Sequence, residues 1–359
     1  MKSSIIFCHT PFQCITALLL KMQNLDFDNE KTTLVVVDDF SNADRVYERF
    51  TELGLFDEVL FGDYKKLNNK IKFFVSIVFP KVFEKVTGFE NNQYTDLYTN
   101  NVYGDFENFV LAYNKNIAVH LYDEGYSSYL AEYLNGFYKY SPMHELAYSI
   151  SKLLFRRKLV FDTYSDLYLY DDRLLTYKIS IPVKKIVLPM EFELFIKYVN
   201  YIFNLDGDLD LYSRHFIMFE ESFFIGKESM ADVEAFEWIS EIIGKDNLLV
   251  KLHPRDIKDR FRERGICTNK HSEVPWEAVV LGMSIKNKVF ITFSSGAAIN
   301  YLFFGLNGYK TIFLYDVFPE MGEMTESKRK WFSLFEKYYG ENVFIPNTKK
   351  ELIELLQNI

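Results

Sequence analysis

Short apolar runs alternate with amphipathic stretches along the first third of the chain. Five of the runs are rich in β-branched and aromatic residues and predict buried strands: Ser4–Cys8, Thr32–Val37, Asp57–Phe61, Thr95–Thr99 and Ile117–Tyr122. The stretches between them predict helices, of which the first begins at Pro11. Strands that alternate with helices predict a parallel sheet covered on both faces, with its functional edge at the carboxyl ends of the strands.

A second alternation predicts another sheet from four strands: His215–Phe219, Asn247–Leu252, Val289–Phe293 and Thr311–Tyr315. Before it, Asp206-Gly207-Asp208 reads as a hinge. A chain of 359 residues is too long for one ordinary core. We therefore predict two Rossmann-like α/β domains, residues 1–205 and 206–359. The closing helix, Glu351–Asn358, belongs to the second domain or packs back on the first.

Charge and cysteine content narrow the class of protein. The net charge of −9 argues against a non-specific nucleic-acid binder, which needs a basic face. Three cysteines without metal-ligand spacing favour a reducing cytoplasm over a disulfide framework. We find no signal peptide and expect a soluble or peripheral protein. The stretch Lys152–Leu159 mixes basic and apolar residues, as an interfacial helix would, although a solvated helix end also explains it.

The stretch Asn287–Leu302 carries the first candidate site. A strand at Val289–Phe293 is followed by Ser294-Ser295-Gly296, and helical character resumes at Ala297–Leu302. A helix start presents unpaired N–H groups and a positive dipole end, and serine hydroxyls can also donate to an anion. This pattern predicts a phosphate site; the alternative is an ordinary capped helix.

A pair of acids carries the second candidate site. Asp123 and Glu124 directly follow the fifth predicted strand, and Gly125 turns the chain behind them. Two adjacent carboxylates repel, which raises the pKa of one and suits it to act as a general base. The alternative is a solvated acidic turn.

A histidine carries the third candidate site. His253 ends the predicted strand Asn247–Leu252, Pro254 restrains it, and Arg255 adds a planar set of donors. Histidine can protonate a departing phosphate near neutral pH, although a lone histidine is often structural. We expect the end of this strand to lie beside that of Val289–Phe293, so that His253 meets the same anion as the serines.

The three motifs, in this order, resemble the signature of bacterial sialyltransferases, most closely the lipooligosaccharide family, glycosyltransferase family 52. The matching segments are HPR, FSSGAA and the N-terminal FCHTPFQ. The resemblance implies a GT-B fold, with two parallel sheets facing a central cleft. It also implies inverting transfer of sialic acid from CMP-sialic acid to a galactose-terminated surface glycan, with α-2,3 linkage and without a metal.

The resemblance also implies roles on the donor side. His253 would be the general acid or phosphate partner, assisted by Pro254 and Arg255. The phosphate would be held by Ser294 and Ser295, together with Gly296. Glu277 would bind the ribose hydroxyls, although it could also be an ordinary acid in the first turn of a helix.

On the acceptor side, the resemblance leaves the base open between Asp123, whose neighbour Glu124 belongs to the same motif, and Glu221. Three residues of the first strand-to-helix turn would contact the acceptor: His9, Thr10 and Gln13. That turn could equally be a packed helix cap.

A transferase of the same fold that uses a UDP-sugar is the close alternative. A non-catalytic carbohydrate-binding relative is another, and a serine hydrolase fits least because the Gly-x-Ser-x-Gly elbow is missing. The expected partners are a nucleotide sugar and a glycan acceptor, with no nucleic acid. Peripheral contact with the inner face of the membrane and a homodimer are left open.

Overall fold

The computed structural model describes most of the chain: residues 2–23, 31–90, 92–102, 104–130, 141–160, 163–205, 212–221, 229–255, 258–269, 274–282, 287–321 and 324–359. These residues form two compact units, Met1–Ile202 and Phe203–Ile359, which we call unit 1 and unit 2. The predicted hinge, Asp206-Gly207-Asp208, lies outside the described residues.

Unit 1 is built on seven parallel strands in the order β3-β2-β1-β4-β5-β6-β7. The strands are β1 (Ser3–Cys8), β2 (Lys31–Val37), β3 (Glu58–Gly62), β4 (Asp96–Thr99), β5 (Ala118–Tyr122), β6 (Tyr164–Leu169) and β7 (Val183–Lys185). The described helices are α1 (Pro11–Met22), α2 (Ala43–Leu53), α3 (Lys70–Val78), α4 (Pro80–Thr87), α5 (Asp105–Tyr113), α6 (Pro142–Phe155) and α7 (Phe192–Phe203).

The most apolar strand of unit 1 lies inside its sheet. Residues Ile5–Cys8 of β1 are fully buried, as expected for a strand covered on both faces. The chain leaves β1 through Thr10, whose hydroxyl caps α1, and Pro11 occupies the first helical position. Because β1 pairs in parallel with β2 and β4, its carboxyl end lies beside theirs.

Unit 2 is built on five parallel strands in the order β12-β11-β10-β8-β9. The strands are β8 (Phe216–Phe219), β9 (Leu248–Lys251), β10 (Lys288–Thr292), β11 (Tyr309–Phe313) and β12 (Val343–Phe344). The described helices are α8 (Ala231–Ile243), α9 (Trp276–Gly282), α10 (Asn300–Phe303), α11 (Glu326–Tyr339) and α12 (Lys349–Asn358). Leu352 and Leu356 of α12 are buried in the core of this unit.

The predicted fold class is confirmed: both units are α/β, with parallel sheets and covering helices. The facing of the two sheets across a cleft stays a prediction. Besides the additional strand β12, two details differ from expectation. Glu326–Tyr339 forms a helix that we did not predict, because its many charged residues obscured the apolar face of Trp331, Phe332 and Phe335. The expected helix at Ala297–Leu302 is shorter, as described below.

None of the described helices is long and apolar enough to cross a membrane. The three cysteines of the chain are free thiols.

A buried histidine joins three neighbouring strands of unit 1. His120 of β5 hydrogen-bonds through Nδ1 to Asp166 of β6 (2.7 Å) and through Nε2 to Asp96 of β4 (2.9 Å). Lys184 of β7 pairs with the second oxygen of Asp166 (2.8 Å), and the ring of Tyr98 stacks on His120. Burial disfavours the charged imidazole, but the two carboxylates outweigh it and raise the pKa of His120 above 6.5.

We predict that this histidine makes the stability of unit 1 depend on pH. Because the folded-state pKa is raised, the stabilisation is complete below pH 6.5 and is lost as the pH rises through the folded pKa. The pKa of Asp96 is lowered from 3.8, so its share is lost only on acidification below that value. His120→Gln should therefore cost about 2 kcal/mol of unfolding free energy near pH 5.5 and less near pH 9, as measured by urea denaturation. A cost that does not change with pH would contradict this role.

Candidate active site

The first strand-to-helix turn of unit 1 places a histidine between two carboxylates. His9 hydrogen-bonds through Nδ1 to Asp39 (2.5 Å), just after β2, and through Nε2 to Glu107 (2.7 Å) of α5. Burial lowers the pKa of His9, but the charge of Glu107 and the bonds to both acids raise it to about 10. His9 is therefore an imidazolium at neutral pH and cannot serve as a base there.

The carboxylate of Glu107 is completely buried under this turn. Its Oε1 also accepts a hydrogen bond from Thr99 (2.9 Å). A Cβ atom at Gly104 would lie 1.9 Å from Oε2, so only glycine leaves room for this carboxylate at the start of α5. Glu107 is thus placed to hold the charge of His9.

Gln13 links this turn to the acidic motif of β5. Its Oε1 accepts from the backbone N–H of His9 (2.5 Å), and its Nε2 donates to Glu124 (3.4 Å). Thr10 caps the helix and is exposed, whereas Gln13 is buried. The turn is a packed helix cap, and its proposed contact with the acceptor remains a prediction.

The two acids after β5 have different surroundings. Asp123 is completely buried and accepts from Tyr129 Oη, from Gly125 N (2.7 Å) and from Tyr170 N (3.2 Å). Burial raises the pKa of Asp123 to about 7 against these donors. Gly125 has φ +100°, which favours glycine. Asp123 therefore holds the turn in shape.

Glu124 is half-buried, and its carboxylate accepts from Ser127 Oγ and from Gln13. Burial raises the pKa of Glu124 to about 7, although the positive charge of His9 opposes that rise. A partly accessible carboxylate with a pKa near neutrality can take a proton from a hydroxyl. Of the two acids, Glu124 has the accessibility that a base needs.

In unit 2, β8 lies between β9 and β10. Our expectation that the strand ending at His253 and the strand ending at Ser294 are neighbours was therefore wrong. Sequence alternation predicts that strands are parallel and does not order them. The gap between the two motifs is occupied by Glu220 and Glu221, which follow β8.

Glu221 accepts hydrogen bonds from the serine turn. Its Oε1 accepts from Thr292 Oγ1 (2.9 Å) and from the backbone N–H of Ser294, and its Oε2 accepts from Ser294 Oγ (2.9 Å). Lys328 of α11 donates to the same hydroxyl (2.9 Å). Burial lowers the pKa of Lys328, and the charge of Glu221 opposes that change. The donors that we expected to hold a phosphate hold a carboxylate.

The helix after this turn is shorter than predicted. Ser295 accepts from Ala297 N (3.4 Å), as a cap does, but Gly296–Ile299 is a 3₁₀ turn and α10 spans only four residues. So short a helix lacks the aligned peptide dipoles of a long one. Anion binding here would depend on the Ser294 donors and Lys328, and Ser295 and Gly296 shape the turn.

The His-Pro-Arg motif lies at the end of β9, as predicted. The backbone N–H of His253 donates to Glu220 Oε2 (2.9 Å), and Arg255 N donates to His253 Nδ1 (3.2 Å). An imidazole that accepts at Nδ1 carries its hydrogen on Nε2. Pro254 and the side chain of Arg255 are exposed. The other oxygen of Glu220 binds Arg260 (3.0 Å).

Glu277 lies in the first turn of α9 and is half-buried, and Asn300 donates to its Oε1 (2.7 Å). Burial raises the pKa of Glu277, and the nearby positive charge of Lys251, at the end of β9, opposes this. A role in binding ribose remains a prediction.

Several residues of these clusters were missing from the sequence-based site, among them Asp39, Glu107, Glu220 and Lys328. Asp39 follows a predicted strand, and this position could have revealed it. Glu107 and Lys328 lie in helices whose packing the sequence pattern does not specify. Among the described residues, no group of three or more His, Cys, Asp or Glu side chains is suited to hold a metal ion. Metal independence remains a prediction.

Comparison with known proteins supports the fold. No family model matches the chain, and no curated protein matches it. A putative UDP-N-acetylglucosamine 2-epimerase from Listeria monocytogenes matches 99% of this chain and 88% of its own, with TM-score 0.53 and 9% identity. The S. aureus protein MnaA, solved with UDP, matches 99% of this chain and 87% of its own, with TM-score 0.50 and 12% identity. A sialyltransferase from Photobacterium damsela matches 96% and 81%, with TM-score 0.48 and 13% identity.

The first two of these similarities show that the chain has the GT-B fold. At sequence identities this low, the similarities support the fold and no further property of the chain.

We predict that His9 stays protonated well above neutral pH. Its imidazole should titrate near pH 10 in NMR spectra, with the signal assigned by its loss in His9→Asn. Glu107→Gln should lower that pKa because it removes the largest charge that favours the imidazolium. A histidine that titrates near 6.5 in the unmodified protein would contradict the charged network.

Proposed function

We propose that the protein is an inverting glycosyltransferase that transfers sialic acid from CMP-sialic acid to a galactose-terminated glycan of a bacterial surface, with α-2,3 linkage. One observation carries the proposal: each of the three motifs lies at the carboxyl end of a parallel strand, where open sheets bind ligands. The donor belongs to unit 2 and the acceptor to unit 1.

In this proposal the serine turn receives the phosphate of the donor. The N–H and hydroxyl of Ser294 already satisfy a carboxylate, which has a similar charge and acceptor geometry to one face of a phosphate. The phosphate would displace Glu221 and gain the ammonium group of Lys328. Glu277 accepts hydrogen bonds from the ribose hydroxyls.

The leaving group is cytidine monophosphate. When the bond between the anomeric carbon and the phosphate oxygen breaks, that oxygen takes the electron pair. His253 stabilises the charge of this oxygen by a hydrogen bond from its Nε2–H. With Nδ1 engaged by Arg255 N, the imidazole is held in the tautomer that can donate. These donors replace a metal ion in the proposed reaction.

The acceptor hydroxyl attacks the anomeric carbon from the side opposite the leaving group, which inverts the configuration. Its proton passes to a carboxylate, and we assign this role to Glu124, because its pKa of about 7 matches the task. Asp123 shapes the turn that presents Glu124, and Glu221, in unit 2, lies on the donor side of the proposed reaction. The charge of His9 keeps part of the Glu124 population ionised.

A UDP-sugar is the second candidate donor. It is favoured by solved structures of the same fold that contain UDP, among them MnaA. A diphosphate leaving group would place more negative charge on the donors around Ser294, which makes it the less favoured candidate.

We predict release of CMP when CMP-sialic acid and a terminal galactoside are mixed, unaffected by EDTA. His253→Ala should lower kcat by about 100-fold or more, because it removes a positioned hydrogen-bond donor to the leaving oxygen. His215→Ala is the matched control. This half-buried histidine precedes β8, at the amino ends of the strands of the same sheet, and its loss should leave kcat unchanged.

The assay is repeated with UDP-sugars in place of CMP-sialic acid. Turnover with a UDP-sugar alone would replace the donor assignment. Full turnover by His253→Ala would contradict the proposed role of His253.

A further inference from the structure

Two packed helices of unit 1 expose large apolar side chains. Leu153 is 82% exposed, Ile71 76% and Leu146 56%, and the other three members of the group are Phe79, Leu154 and Phe155. Single exposed leucines are common on proteins, but six such residues on two packed helices and the residue after α3 are not scattered. We call them the α3–α6 patch.

The patch arises because α6 is apolar on two sides. One side, which includes Ala147 and Tyr148, is buried against Ile77 and Val78 of α3. The other carries Leu146, Leu153 and Leu154, at positions i, i+7 and i+8, which share one face of a helix. A solvated helix needs only the first of these faces.

Hydrogen bonds hold the two helices in register. Ser151 of α6 donates to the carbonyl of Val78 (3.1 Å), and buried Arg157 donates to the carbonyl of Ile77 (2.9 Å). Near the end of both helices, the rings of Phe79 and Phe155 lie 5.9 Å apart. The patch is therefore preformed.

The charge around the patch is opposite to that of the chain. Residues 70–87 and 142–160 contain eight Lys and Arg and two Glu, a net charge of +6, whereas the whole chain carries −9. Three cations line a depression beside Phe155: Arg156 and Lys158 of the second segment, and Lys115, which lies outside both segments. All three are exposed, and within the described part of the chain none forms an ion pair.

We propose that the α3–α6 patch docks unit 1 on an anionic lipid bilayer. Apolar side chains beside exposed cations are the pattern by which proteins bind the interface of such a membrane. A second copy of this chain fits less well, because a symmetric contact through the patch would bring the two basic rims together. The depression beside Phe155 would receive a lipid phosphate.

The test is sedimentation of the full chain with vesicles of phosphatidylcholine, with and without phosphatidylglycerol. We expect binding to the anionic vesicles only, weakened by salt. Leu153→Ser should weaken it about tenfold, since a leucine side chain no longer enters the interface. Lys158→Gln should weaken it about fivefold.

Two matched controls lie on unit 1 outside the patch. Met190→Ser changes a fully exposed apolar residue, and Lys185→Gln changes an exposed cation; neither should alter vesicle binding. The temperature of thermal unfolding should be the same in all four variants, which shows that each has folded.

Three outcomes would overturn the proposal. The first is no binding to anionic vesicles, and the second is binding that Leu153→Ser and Lys158→Gln leave intact. The third is a dimer in light scattering that Leu153→Ser dissociates while vesicles bind nothing, which would assign the patch to a second copy of the chain.

Discussion

The carboxylate pair that follows β8 is the constraint on which the candidate site of unit 2 depends. Successive side chains of an extended chain point in opposite directions, so Glu220 and Glu221 can serve different neighbours. Glu220 binds the backbone of His253 and the guanidinium of Arg260, and Glu221 binds both donors of Ser294. Each acid has a cation nearby, which offsets the cost of burying two like charges side by side. The pair thereby fixes both motifs to the strand between them.

Unit 1 uses the opposite arrangement, a cation held by acids. His9 lies between Asp39 and Glu107, and through Gln13 the same turn reaches Glu124. The imidazolium keeps the surroundings of Glu124 from becoming wholly anionic, while burial raises the pKa of that carboxyl to about 7. A carboxyl group with this pKa is partly ionised at neutral pH, and its ionised form can accept a proton, as the proposed base must.

The sequence predicted most of the strands and the position of each motif at a strand end, because apolar runs, Gly125 and Pro254 are local signals. It did not predict that β8 separates β9 from β10, since strand order depends on contacts between distant segments. The helix after Ser295 was overestimated because small residues fit a 3₁₀ turn as well as an α-helix. Lys328 was missed because the many charged residues of α11 obscured its apolar face, so that the helix itself was not predicted.

We propose that the donors of Ser294 form a phosphate site, which Glu221 fills in the free protein. The most direct measurement is the calorimetric affinity for CMP of the unmodified chain, Ser294→Ala and Glu221→Gln. Loss of a charge-assisted donor should weaken binding about tenfold in Ser294→Ala, and removal of the competing negative charge should tighten it in Glu221→Gln. Equal affinities in all three proteins, or weaker binding by Glu221→Gln, would contradict the claim.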